Sequence, residues 1–160
     1  MRRHVVAVSL MLGVAALCFV VRSHVQTAMA LGQEIPIIPG LFGLRYVRNP
    51  GAAFSLFAGV SEGFRVPFLV TVAVLALVVI AAMYVREGHT RPCLWLGLPT
   101  LAGGAAANLV ERLLVGAVTD YLDVYLGSYH WPTFNLADVA INVGVGFLLL
   151  DAWAGRRSAS

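Results

Sequence analysis

Four long apolar runs divide the chain, and almost all of its charge is gathered at the ends and in the connections between them. Val5–Val21, Val66–Val85, Pro92–Val110 and Leu136–Trp153 each hold 17 to 20 residues. At about 1.5 Å per residue a helix of that length rises roughly 26–30 Å, the thickness of a hydrocarbon core. Four membrane-spanning helices are therefore predicted. The connection 33–57 has a different texture. Ile35-Pro36-Ile37-Ile38-Pro39-Gly40 is punctuated by prolines, and Leu41–Val47 carries β-branched and aromatic residues, which predicts short strands. Asn49-Pro50-Gly51 supplies a turn, and the apolar stretch Ala52–Phe57 is expected to dip back toward the bilayer. The expected architecture is an all-α membrane protein with a small outward-facing β platform. Residues 1–160 are expected to form one integral-membrane domain.

Composition agrees with lipid as the solvent. Only 12% of the 160 residues are charged and 59% are hydrophobic, against about 25% charged in a soluble domain. Orientation follows from the arginines, which are the only strong cations because lysine is absent. Arg2, Arg3, Arg86, Arg91, Arg156 and Arg157 crowd three short segments, whereas Arg22, Arg45, Arg48, Arg65 and Arg112 are spread thinly. That density bias predicts cytoplasmic termini and a cytoplasmic 86–91 turn, with the connections 22–65 and 111–135 outside. Trp95, Trp153 and Tyr84 then sit at inner ends and Trp131 at an outer one, as interface anchors should. The net charge of +3 is a topology signal and calls for no nucleic acid.

This orientation brings two carboxylates to one membrane face. Asp120 follows the third run and Asp138 opens the fourth. Two carboxyls that share a proton can activate a water, the chemistry of an aspartic protease. Asp138 also stands three residues after Asn135, the capping-box position, where a carboxylate suits the helix dipole. A cap alone leaves Asp120 unexplained, and Asn142, one turn deeper than Asp138 in otherwise apolar sequence. Polar groups inside a span are costly and mark function. The third run ends in Gly103-Gly104-Ala105-Ala106-Ala107, small residues that admit a close neighbour. Asn108 and Arg112 follow on one helical face, with Glu111 beside it.

Three features imitate other functions. Arg2-Arg3, an apolar run and Ala28-Met29-Ala30 look like an export signal, but the run is long and Arg22, His24 and Gln26 intervene, so a retained first helix is expected. Gly59-Val60-Ser61-Glu62-Gly63 matches a nucleophile elbow without the strands that motif needs, and reads as the lead into the second helix. The histidines His4, His24, His89 and His130 are scattered, so no metal site is predicted. Cys18 and Cys93 fall at opposite faces and are expected to be packing residues rather than a disulfide.

Asn49-Pro50-Gly51-Ala52-Ala53-Phe54-Ser55, Gly103-Gly104-Ala105 through Asn108 and Arg112, and Asp120-Tyr121 with Trp131-Pro132-Thr133-Phe134-Asn135-Leu136-Ala137-Asp138 together resemble the signal peptidase II (lipoprotein signal peptidase) family. The likeness covers about residues 32–146. It implies an aspartic endopeptidase of the bacterial inner membrane that cuts diacylglyceryl-modified prolipoproteins on the N-terminal side of the lipidated cysteine. Asp120 and Asp138 fall on the family's catalytic dyad, and Asn49, Gly51, Asn108, Arg112 and Asn135 on polar motif positions; Asn142 joins them from the spacing above. No cofactor or metal is implied, the partners being the prolipoprotein substrate and membrane lipid, and a monomer is expected. The implied fold has four transmembrane helices, an outward β-cradle and a short extracytoplasmic helix between the third and fourth spans. This chain departs in having Ala107 for the usual Gly and Glu111 for the usual Asp. The Asp-x-x-x-Lys pattern of the first helix falls on Cys18 and Arg22, keeping the cation and losing the acid. A small proton-coupled transporter is the alternative, disfavoured because its site would lie near the midplane, whereas Asp138 lies two residues into its span.

Overall fold

The computed structural model describes residues 2–51, 56–57, 59–88 and 90–157, the side chains of 156 and 157 excepted. In chain order these form α1 (Arg2–Ala28), β1 (Glu34–Ile38), β2 (Phe42–Asn49), α2 (Glu62–Met83) continued by a π-turn (Tyr84–Gly88), α3 (Pro92–Val115), β3 (Val118–Leu126), β4 (Tyr129–His130) and α4 (Leu136–Arg157). All four helices are long and apolar enough to cross a membrane. Each, α2 with its π-turn included, outlasts the apolar run that predicted it. The predicted return of Ala52–Ser55 to the bilayer lies outside the described residues. Ser61 is the N-cap residue of α2, so the elbow-like glycine segment is a helix lead as expected.

The helices are built inside out compared with a soluble bundle. Leu12, Leu75 and Leu149 are more than half exposed, an apolar exterior that is stable only in lipid. The buried helix is α3, on which α1, α2 and α4 all pack. Its small residues explain why. A Cβ on Gly103 would come within 2.7 Å of the Met11 carbonyl oxygen, and one on Gly104 within 2.5 Å of the Ala137 carbonyl oxygen. Backbones of α1 and α4 thus rest directly on neighbouring flanks of α3, the close approach that small residues permit where no hydrophobic effect drives association. Among the described residues α2 makes no comparable contact with α4, and the two are separated by an open groove floored by α3.

An antiparallel sheet of order β1-β2-β3-β4 sits at the end of the bundle where α1 and α3 finish. Its inner core joins Tyr46 and Tyr121 to Val25 of α1 and to Met29 just beyond its end. The register of β2 on β3 pairs Val47 with Asp120 and Asn49 with Val118, after an irregularity between Leu44 and Val47. Asn49 and Asp120 are therefore diagonal neighbours on one face of the sheet.

The connection between α3 and α4 corrects one expectation. Where the resemblance implied a short helix, residues 118–126 form β3 and 129–130 form β4, and no helix interrupts residues 116–135. Gly116 at φ 70° ends α3 in the left-handed conformation, its N–H bonded to Arg112 O. The chain then enters Val118-Thr119-Asp120-Tyr121-Leu122, β-branched and aromatic residues that find a ready partner in the free side of β2.

Candidate active site

Asp120 comes from the middle of β3 and Asp138 from the first turn of α4, and both line one cavity of about 620 Å³. Asp120 is 4% exposed. Its two oxygens each accept one asparagine: Asn135 Nδ2 donates to Oδ1 at 2.7 Å and Asn49 Nδ2 to Oδ2 at 3.0 Å. Asp138 is treated alike. Asn108 Nδ2 donates to its Oδ1 at 2.9 Å and the Asn135 backbone N–H to its Oδ2 at 3.0 Å. Burial pushes the Asp120 carboxyl up to about 6, with the negative charges of Asp138 and Glu111 adding to the rise and the two asparagine donors opposing it. A carboxyl poised near neutrality can exchange a proton with a reacting group at ordinary pH.

The asparagines are held from behind. Asn49 Oδ1 accepts the Gly51 N–H at 3.0 Å, closing the predicted turn with its own side chain. Asn135 Oδ1 accepts the N–H groups of Ala137 at 2.8 Å and Asp138 at 3.2 Å, which makes it the N-cap of α4. The capping box is therefore real, and Asp138 serves it with one oxygen while presenting itself to the cavity. Arg112 lines the cavity and donates through Nη2 to Gly51 O at 2.8 Å, tying the turn to α3 rather than bonding a carboxylate. Asn142 also lines the cavity, its Nδ2 donating to Asp138 O at 2.9 Å. All eight residues singled out from the sequence thus fall in one connected site.

Apart from Thr133, the rest of the cavity is apolar. Leu69, Val72, Ala73 and Ala76 of α2 face Ala105 and Leu109 of α3 and Ile141 of α4, while Trp131, Pro132 and Phe134 close it beside the sheet. Asp123 stands three positions after Asp120, on the opposite face of β3, and bonds His130 Nδ1 at 2.9 Å instead.

Five residues outside those eight brace this site, among them Arg22 and Glu111, noted in the sequence only as departures from the family pattern and as a polar helix end. Arg22 and Glu111 form a buried ion pair, Gln26 and Thr119 bond Glu111, and the Tyr121 hydroxyl accepts the Leu136 N–H at 3.1 Å. One signal was available: Arg22 and Glu111 carry opposite charge at the ends of two predicted spans, at the same membrane depth.

Fold and site together define a multi-pass membrane protein with a two-carboxylate cavity opening on an apolar groove. The family model described as Signal peptidase (SPase) II matches residues 7–154. A lipoprotein signal peptidase of Geobacter sulfurreducens is 45% identical over 127 residues, covering 79% of this chain and 78% of its own. One of Solibacter usitatus is 38% identical over 152 residues, covering 92% and 93%. A solved bacterial membrane enzyme superposes with a TM-score of 0.85 at 21% identity over 97% of this chain and 92% of the other, which speaks to the fold. The chain belongs to the signal peptidase II family of bacterial membrane peptidases. The transporter alternative gains no support.

Proposed function

We propose that Asp120 and Asp138 are the catalytic pair with which this peptidase removes the signal peptide from diacylglyceryl-modified prolipoproteins, on the N-terminal side of the lipidated cysteine. The observation that carries the reading is the shared cavity: two carboxylates, each with a donor on both oxygens, face the same space at the mouth of an apolar groove. An apolar signal segment fits between α2 and α4, with its cleavage bond level with the sheet and the diacylglyceryl chains left in lipid.

The ionised member of the pair takes a proton from a water held between the two carboxyls. The oxygen of that water attacks the scissile carbonyl carbon, while the protonated member donates a hydrogen bond to the carbonyl oxygen. Collapse of the tetrahedral intermediate expels the amine of the lipidated cysteine, which leaves with the proton first taken from water. The pair titrates as a unit, so one proton serves both carboxyls. Asn49, Asn108 and Asn135 hold the carboxyls in place, Arg112 and Gly51 hold the turn that carries Asn49, and Asn142 extends the polar wall toward the groove. We place the site at the outer face of the inner membrane with both termini in the cytoplasm, within a single integral-membrane unit, because of the arginine distribution.

The test is cleavage of a lipidated prolipoprotein by the purified protein in detergent, with and without a metal chelator. Asp120→Asn and Asp138→Asn should each lower turnover by roughly 10²–10⁴-fold. Asp123→Asn, on the other face of β3, should keep substantial activity, and the chelator should change nothing. Near-normal cleavage by either dyad variant ends the proposal.

A further inference from the structure

Behind the site lies an ion pair that touches neither carboxylate. Arg22 of α1 and Glu111 of α3 meet at 3.0 Å between Nε and Oε2, their side chains 6% and 5% exposed. Burying two charges costs more than their attraction returns unless further hydrogen bonds satisfy them. Both have such bonds, and the bonds lead to the site. Arg22 donates through Nη1 to Ala107 O at 3.1 Å and through Nη2 to Asn108 Oδ1 at 3.3 Å. Glu111 accepts the Thr119 N–H at 2.9 Å, the Thr119 hydroxyl at 2.7 Å and Gln26 Nε2 at 3.1 Å. Asn108 is the donor to Asp138, and Thr119 immediately precedes Asp120.

An asparagine amide has two ends of similar shape and opposite hydrogen-bonding sense, so a half-turn about its terminal bond exchanges a donor for an acceptor. Each of the three asparagines at the carboxylates is protected from that turn by a donor on its oxygen side. For Asn49 the donor is the Gly51 N–H, and for Asn135 it is the Ala137 N–H. For Asn108 it is the Arg22 guanidinium, which has no acceptor and so tolerates only oxygen opposite it. Asn108 Nδ2 is left facing Asp138.

We propose that the Arg22–Glu111 pair positions both catalytic carboxylates: Arg22 fixes Asn108 as a donor to Asp138, and Glu111, through Thr119, fixes the strand that carries Asp120. The inference rests on the catalytic reading of those aspartates. Cys18, one turn before Arg22, is an apolar packing residue against Ala107 and Ala137, and the counter-charge to Arg22 comes from α3.

The test compares Arg22→Gln/Glu111→Gln, which removes both charges and leaves neither unpaired, with Arg22→Lys, which keeps a cation able to face Asn108 Oδ1. The readouts are kcat, KM, affinity for an uncleavable lipidated peptide, the pH profile and the melting temperature, with Asp120→Asn and Asp138→Asn in the same assay. The double variant should lose about tenfold or more in kcat, the worth of a hydrogen bond to a charged group, and its acid limb should move to higher pH. Its KM and peptide affinity should stay within about threefold of the parent, since the pair is remote from the groove. Arg22→Lys should recover most of the kcat and restore the limb. A double variant with a lower melting temperature but parental kcat and pH profile would overturn the proposal and leave the pair a plain structural brace. Should the double variant not assemble, Glu111→Asp shortens the link by one methylene and should show the same changes at smaller amplitude; parental values there would equally overturn it. Cleavage by the dyad variants would instead overturn the catalytic reading, whatever the ion pair does.

Discussion

Asn135 joins the cap of α4 to the carboxylate pair, and Asn135→Asp separates the two duties. Its Oδ1 accepts from Ala137 N and Asp138 N, and its Nδ2 donates to Asp120 Oδ1 at 2.7 Å. Aspartate caps a helix as well as asparagine does, so the cap survives the exchange. The donor to Asp120 does not: an oxygen replaces the amide nitrogen at a position 1% exposed. A hydrogen bond to a charged group contributes about 1.5–3 kcal/mol, and one pKa unit corresponds to about 1.4 kcal/mol. Removing this donor from ionised Asp120 therefore favours its protonated form, and a second carboxylate beside it pushes in the same direction. Starting from a carboxyl at about 6, the acid limb of kcat should move up by roughly one to two pH units. Turnover near pH 6.5 should fall by roughly three- to thirtyfold, and much of the loss should be recovered at alkaline pH. The measurement is kcat from pH 5 to 9 on a lipidated peptide in detergent, with a thermal melt of the same preparation. An unmoved limb with normal turnover would refute the donor role of Asn135. A collapsed melting temperature would refute the claim that the cap is preserved.

Two further outcomes follow from orientation and from burial. Single cysteines placed at residues 50 and 125 should react with an impermeant thiol reagent from outside the cell and one at the exposed position 87 only after the membrane is opened; labelling of 87 from outside would remove the basis for an outward site. The Asp120 carboxyl, raised from 3.8 to about 6 in the folded protein, holds its proton more tightly than in the unfolded chain. Folding stability should therefore decline by up to about 3 kcal/mol as pH rises through that interval, and remain reduced above it. Asp120→Asn lacks this dependence, so its melting temperature relative to the parent should be higher at pH 8 than at pH 4; an identical difference at both pH values would contradict the burial cost.

The spans were legible because lipid imposes length and composition on a helix without reference to its neighbours. The carboxylate pair was legible for a related reason: a carboxylate or an asparagine at the edge of an apolar run is an anomaly that needs a cause. The strand β3 was harder to see. Val118–Leu126 has suitable residues, but two aspartates interrupt their alternation and the partner strand β2 ends 69 residues earlier. The ion pair was hidden by distance as well. Arg22 alone reads as an interfacial cation and Glu111 alone as a polar helix end. Only the contact of α1 with α3, made possible by Gly103, brings the two together.

The two roles that the sequence leaves open at Asp138, helix cap and member of the proposed catalytic pair, are compatible in the structure. Its Oδ2 accepts the Asn135 backbone N–H as a capping residue does, and its Oδ1 accepts Asn108 from α3. Asn135 meanwhile caps α4 with its oxygen and reaches Asp120 with its nitrogen. A helix start is a fixed place. Its backbone donors are directional, and its dipole favours a carboxylate in the first turn. Placing the site there sets the depth and bearing of Asp138 by the same bonds that begin the helix, while β3 brings Asp120 to it from the sheet. On the proposed reading, a peptidase that cuts beside a lipid-anchored residue needs its carboxylates at one constant level of the bilayer. A capped helix end at the membrane surface supplies that level, and a mobile loop would not.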